Sequence, residues 1–328
     1  MNEKNDYINK INVLALLFIS IYFISFIGYE VNPAHKLIYV LTRLVTNLGF
    51  PLLLMTFGAL MLNKHDDPLG CVKKTYKTLI PSFIIWNLIL GILILHYNGF
   101  DSFIKTITKT NWFIWIILSN VLVIPILSEF IHYEKEDGIK YILALFVISS
   151  ILWSLSIQFD FSLYFIDLVF FAEPLSFMVL GYYLSNKEFE MDSSKLFIVC
   201  LVILVVTLFL RALLITTEVA KWSAFFTPIF VSTIHISLDP FTIVEVSTIF
   251  LMIKSLNGVL KNNSVINLYS KKSFSLIMVL GIFTFILSKL AFSLSWIKLT
   301  IFSTIIFFII AGILFFILDK IPLLKKYC

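Results

Sequence analysis

The sequence predicts an all-α fold, a polytopic membrane helix bundle of about ten transmembrane helices, and three observations lead there. Hydrophobic residues make up 59% of the 328 residues, only 14% are charged and the mean hydropathy is +0.98, a balance outside that of water-soluble domains. Apolar runs long enough to cross a hydrocarbon layer of about 30 Å recur along the whole chain. The Lys and Arg residues gather in alternate connections between those runs, the pattern that sets membrane orientation.

The first run, Ile11 to Tyr29, is not followed by a small-x-small cleavage pattern and is expected to stay as an anchor. The next stretch, Asn47 to Trp86, organises the rest: an apolar run, a short basic hinge with Lys64, Lys73, Lys74 and Lys77, and a second apolar run with Pro81 near its start. A hinge this basic resists translocation, so it is expected on the cytoplasmic side. Spans are expected near residues 11–29, 45–62, 77–96, 112–132, 140–157, 164–185, 195–216, 239–256, 272–292 and 297–318. With a cytoplasmic N-terminus, the inner segments hold 17 of the 25 basic residues, from Lys4 and Lys10 through the hinge to Lys325 and Lys326. The outer segments hold only Lys36, Arg43, Lys105, Lys109, Lys221 and Lys298, so both termini are expected inside. Arg211 and Lys289 fall near the outer ends of their spans, where long cationic side chains are expected to snorkel to the headgroups. Trp86, Trp112, Trp115 and Trp222 are read as interfacial belts.

Thirty-four Phe residues against 20 Gly plus Pro point to bulky, closely packed helices rather than a Gly-rich, broken transporter core. The net charge of +5 follows from orientation, since the lysines are scattered over loops and tails, and no nucleic-acid partner is indicated. Cys71, Cys200 and Cys328 have no metal-ligand spacing and are expected as reduced thiols. His96 and His235 lack partners at ligand spacing, so no metal site is expected. There is no Walker loop, dinucleotide fingerprint or Ser nucleophile elbow. Residues 1–328 read as a single membrane domain, with membrane lipids as one class of partner.

Several segments carry a resemblance. The opening DYINKINVLALLFISIYF, then FPLLLMTFGALM with Pro51, Met55 and Gly58, then KKTYKTLIPSFIIW with Lys74, Lys77, Pro81 and Trp86, resemble in order the acyltransferase-3 family. TNWFIWIILSNVLVIPIL with Trp112, Phe113 and Pro125, the stretch EPLSFMVLGYYLSN, and LYSKKSFSLIMVLGIF continue it. The resemblance implies an integral protein of the bacterial cytoplasmic (inner) membrane. It further implies transfer of an acyl, acetyl-type group from acyl-CoA to a surface polysaccharide or lipid-linked glycan. The departures are all of one kind: Asn12 stands where the family has an Arg, and Phe23, Thr110 and Leu280 where it has His. A general base must titrate and reach the attacking hydroxyl, and Phe23 does neither. The alternatives are a catalytically degenerate relative that aids export or assembly of a surface polysaccharide, and a glycan polymerase or flippase. The latter would be expected to show a long polar outer loop.

Glu173 and Glu245 are the candidate catalytic groups. Glu173 falls at the middle of the sixth span, where a carboxylate costs ~2.5–3.5 kcal/mol unless paired, protonated or facing a wet cavity. It is expected either to line such a cavity or to be a neutral, hydrogen-bonded structural group; Asp167 lies nearer a span end. Arg43 and Asn47, one helical turn apart, are candidate substrate-binding residues, Arg43 standing in for the cation that the resemblance implies at Asn47. Trp112 joins them by its matched position. Lys73, Lys74 and Lys77 either hold the phosphates of acyl-CoA or serve only to keep the hinge inside.

Overall fold

The structure is a computed structural model, and it describes residues 6–31, 36–63, 67–98, 112–158, 174–216, 239–257, 263–290 and 295–321. Among these the chain is all-helical, with no strand. The helices are α1 (Asp6–Val31), α2 (Lys36–Thr46), α3 (Gly49–Met61), α4 (Pro68–Asn98), α5 (Trp112–Gln158), α6 (Pro174–Asn186), α7 (Ser193–Thr216), α8 (Pro240–Ser255), α9 (Ser264–Lys271), α10 (Ser273–Lys289) and α11 (Trp296–Leu318). Six helical stretches are long and apolar enough to cross a membrane, α2 and α3 counting as one, and the bent pair α9–α10 makes up to seven.

Helix ends follow local chemistry. Asp239 caps α8, accepting from the Thr242 backbone N–H at 2.9 Å, with Pro240 at the first turn, where a missing N–H is harmless. Asn263 caps α9 through the Val265 N–H. The long α5 is broken by a kink at Lys135, the one described non-glycine residue with positive φ, at 53°. α9 and α10 meet at Lys272 with a 77° bend.

α1 is the central post: it packs on α2, α3, α9, α10 and α11. α3 and α6 approach each other closely, and glycine makes it possible. A Cβ on Gly58 would meet the backbone of Met178, and one on Gly181 would meet the backbone of Met55, so the two glycines form a reciprocal pair. At one end of the bundle, Lys254 of α8 donates to the carbonyls of Leu184, Ser185 and Lys187, closing the C-terminus of α6. The Asn186 amide donates to Asn63 there, and Lys187 pairs with Glu136 at 3.2 Å, an exposed contact that raises the Lys187 ammonium. Outward, α7 has only 11% of its apolar stretch buried, and α11 exposes Ile301, Ile305, Ile309 and Phe316, faces suited to hydrocarbon.

Several boundaries differ from expectation. The second span's helix starts near Leu37 rather than 45, so Arg43 and Asn47 lie within it, because Arg43 is satisfied inside the bundle and need not stay at its edge. Lys73, Lys74 and Lys77 sit on the first turns of α4 rather than in a loop, since Pro68 at the first turn starts that helix early. Trp86 is 4% exposed and packs in the core instead of at an interface, whereas Trp115 is exposed; Trp222 lies outside the described residues. Cys71 and Cys200 are free thiols, and Cys328 lies outside the described residues.

Replacing Gly58 or Gly181 with Ala is expected to destabilise the protein by about 1–3 kcal/mol, because the added methyl meets backbone that cannot swing aside. Thermal unfolding in detergent, followed by loss of monodisperse protein, reads this directly. Unchanged stability in both variants would contradict the close approach.

A buried Arg–Asp–Glu cluster as the candidate functional site

Arg211 heads the largest fully buried side chains. It stands on α7, and α8 packs beside it with two carboxylates turned inward. The guanidinium donates to Glu245 Oε2 at 2.5 Å and to Asp239 Oδ2 at 2.7 Å, and the exposures of the three side chains are 0%, 0% and 6%. Asp239 is held a second time by the Thr242 hydroxyl at 2.8 Å. One guanidinium thus serves two carboxylates in an apolar surround. Such an arrangement survives only because every charge finds a partner, and removing one leaves an uncompensated buried ion. One atom is left over: Glu245 Oε1 is buried with no hydrogen-bond partner among the described residues. The site therefore holds a carboxylate oriented by a cation, with one oxygen not yet engaged.

Arg211 was expected to snorkel. It turns inward because Asp239 and Glu245 offer it two charged hydrogen bonds, which headgroup water cannot match in a dry bundle. Asp239 escaped sequence reasoning; its signal was the Asp-Pro-Phe-Thr run, which marks a helix cap but not a charge partner 28 positions away.

Arg43 occupies a second polar station. It donates to the Tyr39 hydroxyl at 2.6 Å and to the Tyr22 hydroxyl, and its guanidinium carbon lies 3.7 Å from the Tyr22 ring centre. Tyr39 stacks on Tyr29 at 4.2 Å, and Trp296, anchored by its N–H to the Ser25 carbonyl at 2.8 Å, meets Tyr39 edge-on. Asn47 is buried at the turn between α2 and α3, one turn from Arg43 through its backbone N–H to the Arg43 carbonyl, 2.9 Å. Because α2 packs on α7, this station and the ion cluster belong to the same part of the bundle. Tyr7 near the start of α1 meets Phe250, which places the later half of α8 there and puts Asp239 and Glu245 toward the opposite end, with Tyr22 and Arg43.

The other candidates are dispersed. Lys73, Lys74 and Lys77 are exposed on α4. Trp112 opens α5. Glu173, Asp167, Thr110 and His235 lie outside the described residues. Lys289 is exposed beside Phe285, and His96 is exposed and edge-on to Tyr97. No three His, Cys, Asp or Glu converge for a metal among the described residues.

The positions where ionisable groups were expected from the resemblance are filled by neutral packing. Asn12 donates to the Ser270 carbonyl and hydroxyl, both at 3.1 Å, and Ser270 donates to Asn9, which also reaches Asn267. Phe23 is wedged edge-on between Tyr22 and Phe50, and Leu280 is in the core. The chain matches no protein-family model, no curated protein and no solved structure.

Arg211→Met is expected to destabilise the protein by about 3–5 kcal/mol, since two carboxylates then remain buried without their cation. Adding Asp239→Asn and Glu245→Gln to the same variant is expected to recover more than half of that loss. Chemical unfolding of the single and triple variants measures the difference, and equal losses in both would show that the cluster is not coupled.

Proposed function

We propose that the chain is an O-acyltransferase of the acyltransferase-3 type, a ten-span protein of the bacterial cytoplasmic membrane with both termini inside. It transfers an acetyl-type acyl group from acyl-CoA to a surface polysaccharide or lipid-linked glycan. Glu245 carries this reading. A base for acyl transfer must hold a charge, accept a proton and be fixed in place, and Glu245 has one oxygen bound by Arg211 and the other unengaged. In the reaction the acceptor hydroxyl oxygen bonds to the acyl carbonyl carbon, the carbon–sulfur bond of the thioester breaks, and the hydroxyl proton passes to Glu245 Oε1. That proton then leaves with the thiol. Asp239 keeps Arg211 from drifting, so Arg211 holds Glu245 ready for the proton. Arg43, with its tyrosines, presents donors on the same part of the bundle for the sugar. Supporting the resemblance, Gly58 and Gly181 fall in two of its motifs and lie at one helix contact, facing the backbones of Met178 and Met55.

A second reading is a catalytically degenerate relative acting in export or assembly of the glycan. The neutral hydrogen bonds at Asn12 and the ring cluster at Phe23 favour it, since neither relays a proton.

Orientation is tested with single cysteines on a background in which Cys71, Cys200 and Cys328 are Ser. Lys298→Cys is expected to react with an impermeant maleimide in intact cells and Lys73→Cys only after permeabilisation, both side chains being exposed. The reverse pattern would invert the topology.

Activity is tested by the acyl content of the surface glycan. Glu245→Gln, at normal membrane level, is expected to lower it by about 10²-fold or more. Loss on gene deletion without loss in Glu245→Gln would remove Glu245 as the base, and unchanged acylation on deletion would leave the second reading.

A further inference from the structure

A cavity of 170 Å³ opens between α3, α4, α5 and the α9–α10 bend. Its walls are apolar, with Phe57 from α3, Leu79 from α4, Ile117 from α5 and Ile277 from α10. Among the described residues, the polar side chains in its lining are Lys271 and Ser273, on either side of the bend. Their situation differs from that of their neighbour. Lys272 is tied to Asp319 at 3.1 Å, while Lys271 is exposed and has no ion pair among the described residues. α10 begins at Ser273 without a side-chain cap, so its first-turn N–H groups add to the positive field there. Asn12, bonded to Ser270 directly before Lys271, keeps a buried side-chain oxygen with no hydrogen-bond partner among the described residues. The same α4 that supplies Leu79 carries Lys73, Lys74 and Lys77, exposed, one to two turns earlier.

The chemistry is that of a two-part ligand, an apolar tail that fills the cavity and an anionic carrier at its mouth. Size limits the tail: an engineered cavity of about 150 Å³ accommodates benzene, so 170 Å³ takes a group of about six carbons and no more. A lipid acyl chain is far too long to enter. Resting on the acyl-transfer reading above, we infer that this cavity receives the short acyl group of the donor thioester, with Lys271 meeting the phosphate-bearing carrier and Phe57 and Leu79 setting the chain length. The cavity lies by Ser270 and Asn12, about 15 Å along α1 from Tyr22 at the far station. The thioester, still bonded to its carrier, therefore has to shift along the bundle from this cavity to Glu245 before its carbon–sulfur bond breaks, so the cavity is a loading site and not the place of reaction.

Equilibrium binding to the full-length protein in nanodiscs tests this, with acetyl-, butyryl-, hexanoyl- and palmitoyl-CoA and unacylated CoA as probes. Butyryl-CoA is expected to bind about tenfold tighter than palmitoyl-CoA. Phe57→Ala should raise the affinity for chains longer than hexanoyl, Leu79→Phe should weaken hexanoyl while sparing acetyl, and Lys271→Gln should weaken all acyl-CoAs alike. Butyryl-CoA binding with the same length preference in both wall variants overturns the cavity assignment and leaves the acyl-transfer reading standing. Failure of wild-type protein to bind any acyl-CoA overturns both. A lipid chain co-purifying in the cavity, lost in Leu79→Phe and not displaced by butyryl-CoA, overturns the assignment in favour of a lipid.

Discussion

The arrangement of one end of this bundle depends on one guanidinium. Arg211 stands on the helix with the least buried surface, α7, and reaches two carboxylates on α8 that have no reason to sit in an apolar setting on their own. Hydrocarbon supplies no counter-charge and no hydrogen bonds, so a charge on α7 either finds its partners inside or forces the helix out of place. Pairing Arg211 with Asp239 and Glu245 docks α7 against α8, and the same Asp239 caps α8, so the charge network and the start of that helix are set together. What remains over is one carboxylate oxygen, Glu245 Oε1, buried with no hydrogen-bond partner among the described residues.

The rest of the bundle is held by devices that avoid charge. Gly58 and Gly181 bring two helix backbones into contact, which gains van der Waals attraction without any polar group. Asn9, Asn12, Asn267 and Ser270 join α1 to α9 by neutral hydrogen bonds, and the Tyr22, Phe23 and Phe50 rings interlock by their edges. These neutral contacts occupy the places where the resemblance implies titrating groups.

Polar stations at both ends of α1 give the bundle a direction. Near Asn12 lie the bend at Lys272, the apolar cavity and the basic turns of α4. Near Tyr22 and Ser25 lie Arg43, Trp296 and, through α2 and α7, the ion cluster. A donor that enters at one end and an acceptor that waits at the other fit this polarity, with the intervening helices packed by Leu, Ile and Phe to keep water out.

The sequence by itself determined the all-helical class and the place of most helices apolar and long enough to cross a membrane. These follow from local properties, hydrophobic length above all. It also singled out Glu245 and Arg43 as candidate site residues. Only the tertiary structure decided what each charge meets. Glu245 finds Arg211 across 34 positions of chain, and Asn12 finds Ser270 across 258. A helix that is apolar on every side carries no amphipathic stripe to show which face points inward, so its rotation, and with it the partner of every buried polar group, is set by neighbouring helices rather than by its own residues.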